Sequence, residues 1–275
     1  MALIDHPITK RWPPRNPDNI QLYSFPTPNG VKVSAMLEET GLGYDAHTVS
    51  IRRDDQLTPE FLSLNPNNKI PAIIDPKGRD GRMISLFESG AILIYLAEKT
   101  GMFLSDDPVL RAETLQWLMF QMGGLGPMTG QLGFFHKFAG AEIEDKTAKN
   151  RYVNEVKRLL AVLDNHLGGR EFMIRDGYSI ADITLWPWIR ALNFYEAEEI
   201  VGLAGFANII RWRDLCLSRL ASTAALNIPS PISRFGRGSG RSTFTKPRKL
   251  SALRDLPTSS DGATCAYPAP QVPLR

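Results

Sequence analysis

The segment Thr27-Pro28-Asn29-Gly30 has residue types that could hold an anionic sulfur. It lies where a predicted strand ends and a predicted helix begins, so backbone N–H groups and the positive end of the helix dipole favour a negative group there. The hydroxyl of Thr27 and the side-chain amide of Asn29 add two donors that could reach a thiolate. Taken alone, the four residues are also compatible with a plain turn that caps a helix.

A second segment, Asn68-Lys69-Ile70-Pro71, places a proline at the entrance of a predicted strand. A proline there removes a hydrogen-bond donor from the sheet, which is unusual inside a sheet. A cis peptide bond before Pro71 would explain it and would leave the N–H and C=O of Ile70 available to an extended peptide. An ordinary turn is the alternative for this segment.

The third segment, Phe87-Glu88-Ser89-Gly90, lies at another strand-to-helix junction. Ser89 and the neighbouring backbone N–H groups can bind a carboxylate, and Glu88 can pair with an ammonium group. The head group of an α-amino acid carries both charges. Together the three segments predict a site for a small peptide with an amino acid head, an extended backbone and a thiol, and glutathione is such a molecule.

The elements predicted around these segments bring them to one site. Strands are predicted over 20–25, 46–51, 71–75 and 83–87. Helices are predicted after the first strand, ending at Gly41, over 59–64 and from Glu88 onward. The order βαβαββα, with a proline opening the third strand, predicts an α+β thioredoxin-like domain. Its sheet would be mixed and four-stranded, with a cis-proline.

The pattern changes to helices in the second half of the chain, where no convincing strand is predicted. A glycine-rich stretch over 123–130, which contains Pro127, predicts a kink in the first of these helices. The kink is either structural or widens a cleft over the first domain. Ser179 and Asp182 form a variant capping box at the start of another helix, and its loss is expected to cost about 1–2 kcal/mol.

We expect four parts: an extended arm over 1–18, the thioredoxin-like domain over 19–105, an all-helical domain over 106–227, and a tail over 228–275. The arm is rich in proline, which favours extended backbone. The tail contains eight Lys or Arg and two Asp among many Pro, Ser and Gly residues, a composition typical of disorder. Since this tail carries the basic excess behind the net charge of +3, a nucleic-acid-binding domain is not indicated.

Composition disfavours several other classes. Of the 275 residues, 43% are hydrophobic and 22% are charged, which is typical of a folded globular protein. No apolar run is long enough for a membrane span and no secretory leader is visible, so a cytoplasmic protein is expected. Cys216 and Cys265 form no CxxC motif, and the four histidines have no metal-binding spacing. Neither a dithiol redox motif nor a metal site is therefore expected.

Four motifs together resemble the glutathione S-transferase superfamily over about residues 19–227. They are TPNG, NPNNKIPAI, LFESGAILIYLAEK and YSIADITLWPW. With QWLMFQMGGLGP, the chain resembles the bacterial Nu class, whose members act as glutathione-dependent disulfide-bond oxidoreductases, and the related fungal nitrogen-regulator group. The resemblance implies that Thr27 and Asn29 lie next to the glutathione sulfur. It implies further contacts to glutathione from Gln56, Lys69, Ile70, Pro71, Glu88, Ser89 and Arg151.

A glutathione-dependent disulfide-bond reductase is therefore the expected function, and the resemblance also implies a homodimer. Tyr23 and Ser24 lie inside the first strand, so no Tyr, Ser or Cys is assigned to the usual activating position, and Ser24 is kept as a candidate. A glutathione thiolate, rather than a protein cysteine, would then attack the disulfide, and a second glutathione would resolve the mixed disulfide.

Two alternatives stay open. The first is a glutathione transferase or peroxidase that acts on small electrophiles or hydroperoxides in an apolar pocket. Phe120, Met128, Phe134 and Phe135 could line such a pocket, although they are equally ordinary helical core residues. The second is a regulatory protein that binds glutathione without turnover.

Overall fold

The structure is a computed structural model and describes residues 2–226, so the expected tail lies outside the described residues. The first half contains four strands: β1 (Ile20–Ser24), β2 (Tyr44–Thr48), β3 (Ala72–Asp75) and β4 (Ile84–Phe87). Its helices are α1 (Pro28–Thr40), α2 (Pro59–Leu62) and α3 (Ser89–Thr100). The second half contains α4 (Pro108–Phe120), α5 (Gly126–Lys137), α6 (Thr147–His166), α7 (Ile180–Phe194), α8 (Glu198–Val201), α9 (Ala207–Leu217) and α10 (Leu220–Leu226).

The strands form one mixed sheet in the order β2-β1-β3-β4. β1 and β2 are parallel, whereas β3 is antiparallel to both β1 and β4. The predicted thioredoxin-like sheet followed by an all-helical domain is therefore confirmed. The second strand lies at Tyr44–Thr48 instead of 46–51, because the chain turns away after it: the Ser50 N–H donates to the carboxylate of Asp55 at 2.9 Å.

The two faces of the sheet are covered by different parts of the chain, because successive residues of a strand point to opposite faces. Leu22 and Ile73 belong to the apolar core that also contains α1, α3 and the helical domain. Tyr23 and Ile74 pack on the other face together with Leu3 and Ile8.

The N-terminal segment is not the extended arm that its prolines predict. It contains two short 3-10 helices, Leu3–Asp5 and Pro7–Lys10, and Ile8 is fully buried. Pro7 occupies the first position of its helix, where no N–H donor is needed. The segment is also held by Trp12, whose indole Nε1–H donates to the Thr48 carbonyl at 3.0 Å. Apolar spacing within the segment thus outweighs the preference of proline for extended backbone.

The glycine-rich stretch does not break the helix. Residues Gln121–Leu125 form one π-helical turn that runs from α4 directly into α5, and Pro127 lies at the start of α5. Gly126 has a steric reason to be glycine, because a Cβ there would lie 2.2 Å from the side-chain amide nitrogen of Gln121. The π-turn and this gap let the Gln121 side chain point into the core.

α7 joins the two halves of the chain. It packs against α1, and nearly all of its residues are buried, including Trp186 and Ile189. Trp188 of the same helix reaches Asn29 of α1. None of the helices over residues 2–226 has both the length and the apolar character that crossing a bilayer requires.

Candidate functional site

The three segments predicted from their chemistry meet at one cavity. It has a volume of about 160 Å³ and lies between the start of α1, the loop before β3 and the start of α3. The residues that line it are Asn29, Asn65, Lys69, Ile70, Pro71, Glu88 and Ser89. Six of the nine predicted site residues are therefore brought together.

The start of α1 presents a hydroxyl and an amide with defined orientations. Thr27 caps the helix, and its Oγ1 accepts the Gly30 N–H at 3.2 Å, so its own hydroxyl proton is available to another acceptor. Asn29 Oδ1 accepts the indole N–H of Trp188 at 3.1 Å. Because that bond engages the oxygen of the side-chain amide, Asn29 has its NH2 group to offer as a donor.

The entrance of β3 offers backbone groups. The Ile70–Pro71 peptide bond is cis, as predicted. Among residues 2–226, neither the N–H nor the C=O of Ile70 has a hydrogen-bond partner. Asn65 holds the preceding loop, because its side chain donates to the Lys69 carbonyl at 2.6 Å and accepts the Asn67 N–H at 2.9 Å. A fixed loop thus presents a free donor and acceptor to the cavity.

The start of α3 carries the charged end of the cavity. Glu88 has φ = 70° and ψ = 111°, a conformation that non-glycine residues rarely adopt and that is found mainly at ligand sites. Its carboxylate is exposed, and Ser89 beside it is buried at the first position of α3. An acidic group thus lies next to a helix N-terminus, which suits a ligand with both an ammonium and a carboxylate group.

Two family models match the chain. The one described as "Glutathione S-transferase, N-terminal domain" matches residues 27–99, which include the cavity, and "Glutathione S-transferase, C-terminal domain" matches residues 146–215. The chain belongs to the glutathione S-transferase family. The resemblance stated from the motifs is confirmed.

Relatives of this transferase-family chain include two proteins of Escherichia coli (strain K12). "Disulfide-bond oxidoreductase YfcG" is 46% identical over 75% of this chain and 94% of its own length. "Disulfide-bond oxidoreductase YghU" is 40% identical over 76% of this chain and 74% of its own length. A glutathione transferase from Pseudomonas putida, crystallised with one glutathione disulfide per subunit, is 58% identical. The alignment covers 84% of this chain and all of that one, with a TM-score of 0.82.

Three predicted site residues of this family member do not line the 160 Å³ cavity. Thr27 lines a neighbouring cavity of about 240 Å³, two residues before Asn29, which lines the 160 Å³ cavity. Gln56 is half-buried, and its Oε1 has no hydrogen-bond partner among the described residues. Arg151 is exposed on α6. The roles of Gln56 and Arg151 therefore remain predictions.

The 240 Å³ cavity lies between the sheet domain and α7. Its wall is mainly apolar and includes Phe25, Trp186 and Phe194, and Arg190 also lines it. The four apolar residues suggested for a second pocket do not line this cavity; Phe134 and Phe135, for example, contact each other edge to face. An apolar space beside Thr27 nevertheless exists.

Sequence reasoning missed two residues that do not line the cavity but lie next to residues that do, Trp188 and Lys32. Trp188 orients Asn29 from a position 159 residues away, so no local pattern could reveal it. Lys32 lies between Val31 and Val33 on a buried face of α1, with no exposure to solvent. Burial lowers the pKa of Lys32 well below its usual range, and Glu88 opposes that shift. A lysine inside an apolar stretch was the signal that could have found it.

Proposed function

We propose that this chain is a glutathione-dependent disulfide-bond reductase. The observation that carries the proposal is the position of Thr27 and Asn29 at the N-terminus of α1, between a polar cavity and an apolar one. A peptide whose amino acid head lies at Glu88 and Ser89 would have its thiol near these two donors. The relatives named as disulfide-bond oxidoreductases support the same reaction.

Glutathione is a substrate in this reaction. Two molecules of it supply two electrons and two protons to one disulfide, which becomes two thiols, and they leave joined as glutathione disulfide. A free thiol has a pKa of about 8.5 and is mostly protonated at neutral pH, whereas the thiolate is the nucleophile. The task of the protein is therefore to stabilise the thiolate where a disulfide can reach it.

Thr27 and the residues of the 160 Å³ cavity divide this task. The Thr27 hydroxyl and the Asn29 amide donate to the sulfur, and with the α1 dipole they would lower the thiol pKa by about 1–2 units. The free N–H and C=O of Ile70 pair with the peptide backbone. Glu88 binds the ammonium group and Ser89 the carboxylate of the head.

Replacing Asn29 by alanine is expected to raise the pKa of the bound thiol by about one unit, because a donor to the anion is lost. The rise of kcat/KM with pH should therefore move about one unit higher, with a loss of about tenfold at pH 7 and little loss above pH 9. Kinetics with glutathione and a small disulfide between pH 5.5 and 9.5 measure this. Trp188→Phe should give a smaller shift of the same sign.

The control for this experiment is Asn154→Ala, an exposed position on α6 that faces solvent. Its pH profile should match that of the unmodified protein. If Asn29→Ala changes the rate equally at every pH, the amide does not act on the ionisation of the thiol.

The reaction uses no cysteine of this protein, so a variant with Cys216→Ala and Cys265→Ser is expected to keep its disulfide reductase activity within about twofold. Cys216 is fully buried, and burial raises the pKa of its thiol well above the usual range, so it is a poor nucleophile. Steady-state kinetics with a small disulfide test this. Loss of the activity in a folded double variant would overturn the mechanism.

A glutathione transferase or peroxidase is the second candidate. It is favoured by the 240 Å³ cavity beside Thr27, because the apolar wall of that cavity could bind an apolar second substrate. Rates with a small disulfide, an aryl halide and an organic hydroperoxide separate the two functions. We expect the disulfide to give the highest kcat/KM. Calorimetric binding of glutathione with no turnover of any of the three would contradict both and favour a regulatory protein.

A further inference from the structure

The side-chain amino group of Lys32 is buried behind the 160 Å³ cavity, where it contacts Ser89. Lys32 lies one turn after Asn29 in α1, and it is fully buried although lysine is among the residues least often found in that state. Its Nζ donates to Ser89 Oγ at 3.2 Å, to Gln121 Oε1, and more weakly to Met122 Sδ at 3.4 Å. Among residues 2–226 it forms no ion pair. A buried cation without a contacting carboxylate is costly, so it requires a reason.

Two elements contact this ammonium, α3 through Ser89 and the π-turn through Gln121 and Met122. Gln121 belongs to the π-turn between α4 and α5, and its Oε1 also accepts the Thr184 hydroxyl of α7 at 2.7 Å. The missing Cβ of Gly126 makes room for the Gln121 side chain. The π-turn thus brings an uncharged acceptor to Lys32, which has no ion-pair partner within the part of the chain that the structure describes.

The contact with Ser89 determines what that hydroxyl can do. Burial disfavours the charge on Lys32 and Glu88 favours it. In the charged state, which a ligand carboxylate would also favour, the ammonium group has donors only, so the oxygen of Ser89 must accept from Lys32. The single hydroxyl proton then has two possible acceptors: Met122 Sδ at 3.6 Å, which is a weak one, or a ligand in the cavity that Ser89 lines. Lys32 therefore makes Ser89 a donor toward the cavity and places a positive charge behind it.

We propose that Lys32 is a positioning residue that selects the carboxylate of the ligand's amino acid head, acting through Ser89. This inference rests on the proposed function, in which that head is the γ-glutamyl end of glutathione. Glu88 at the rim and Lys32 behind Ser89 form an acidic and a basic pole, which match the ammonium and the carboxylate of one zwitterion. Binding then depends on the carboxylate being present, because among residues 2–226 no carboxylate forms an ion pair with Lys32 and Glu88 acts on its charge only from a distance.

The test compares two ligands on the full chain by calorimetry. One is glutathione and the other is 4-aminobutyryl-cysteinyl-glycine, which lacks only the α-carboxylate of the head. The unmodified protein is expected to bind glutathione about 10–100-fold more tightly than the analogue, the range for a charged hydrogen bond. In Lys32→Met, affinity for glutathione should fall at least tenfold while affinity for the analogue changes less than twofold.

If Lys32 had only a structural role, replacing it would weaken the binding of both ligands by the same factor. If Lys32→Met weakens glutathione and the analogue equally, the inference is wrong and the proposed function stands. If the unmodified protein binds neither ligand, the proposed function itself is wrong. Lys157→Met removes the same charge from an exposed position of α6 and should leave the ratio of the two affinities unchanged.

Two further variants keep the test decisive. Lys32→Gln retains a donor to Ser89 without the charge, so it should lose most of the discrimination, and it replaces Lys32→Met if that variant does not fold. Ser89→Ala should lose the discrimination as well, and adding Lys32→Met to it should cause little further loss, because the two residues act on the same carboxylate. Additive losses would show that Lys32 does not act through Ser89.

Discussion

Replacing Asp182 by alanine is expected to reduce the free energy of unfolding by about 3–4 kcal/mol, twice the loss that its role as a helix cap predicts. The carboxylate is fully buried and accepts four hydrogen bonds. Oδ2 accepts from the Ser179 N–H at 2.9 Å and the Ser179 hydroxyl at 3.1 Å. Oδ1 accepts from the Met173 N–H at 2.9 Å and the Trp212 indole at 2.8 Å. Alanine leaves these buried donors unpaired.

Denaturant unfolding followed by tryptophan fluorescence and circular dichroism measures this loss. Asp107→Ala is the matched control, since Asp107 caps α4 at an exposed position and, within residues 2–226, its side chain accepts only from the N–H groups of Val109 and Leu110. That variant should lose about 1 kcal/mol. Equal losses in the two variants would mean that the contacts of Asp182 to Met173 and Trp212 contribute nothing to stability.

The loss in Asp182→Ala should also depend on pH. Burial raises the pKa of Asp182 to about 6, although its four donors lower it. Because the folded state then holds this proton more tightly than the unfolded state, Asp182 contributes stability that is fully present at low pH and decreases as pH rises through about 4 to 6. The loss should therefore be about 1 kcal/mol larger at pH 5 than at pH 7. A loss that is the same at both pH values would show that the pKa is not raised.

Glu88→Ala is expected to weaken glutathione binding by about 1.5–3 kcal/mol, which is roughly 10–150-fold. Glu88 is the acidic residue that lines the 160 Å³ cavity, and it stands at the junction of β4 and α3 in a strained backbone conformation. If it binds the ammonium of the head, glutathione acetylated at that nitrogen should bind this variant and the unmodified protein with similar, low affinity. Calorimetry with both ligands measures this.

Two variants support the interpretation of that experiment. Glu88→Gln keeps the shape and removes the charge, so its loss should approach that of alanine. Glu60→Gln changes a half-buried glutamate of α2 that does not line the cavity, and it should bind glutathione normally. Unaltered glutathione affinity in Glu88→Ala would refute the assignment of the head group to this end of the cavity.

Local chemistry was sufficient to predict much of the fold. The order of strands and helices in the first 100 residues, the cis bond at Ile70–Pro71 and the helical second half are confirmed, because each depends on neighbours along the chain. The N-terminal segment was predicted wrongly, since its prolines were weighed without the apolar face of the sheet that Leu3 and Ile8 cover. A break or kink was predicted at the glycine-rich stretch; the helix is not broken, and the π-helical turn found there was not predicted, because it depends on the Gln121 side chain packing beside Gly126.

The sequence by itself determined which residues could bind a zwitterionic peptide, since Thr27, Asn29, Glu88 and Ser89 stand at strand-to-helix junctions whose chemistry is local. Only the tertiary structure decided how those groups are oriented and charged. Trp188 turns Asn29 toward the cavity, Lys32 lies behind Ser89, and Asp182 gains Met173 and Trp212 as partners. These contacts join residues that are distant along the chain, and their strength comes from burial, which a sequence pattern does not show.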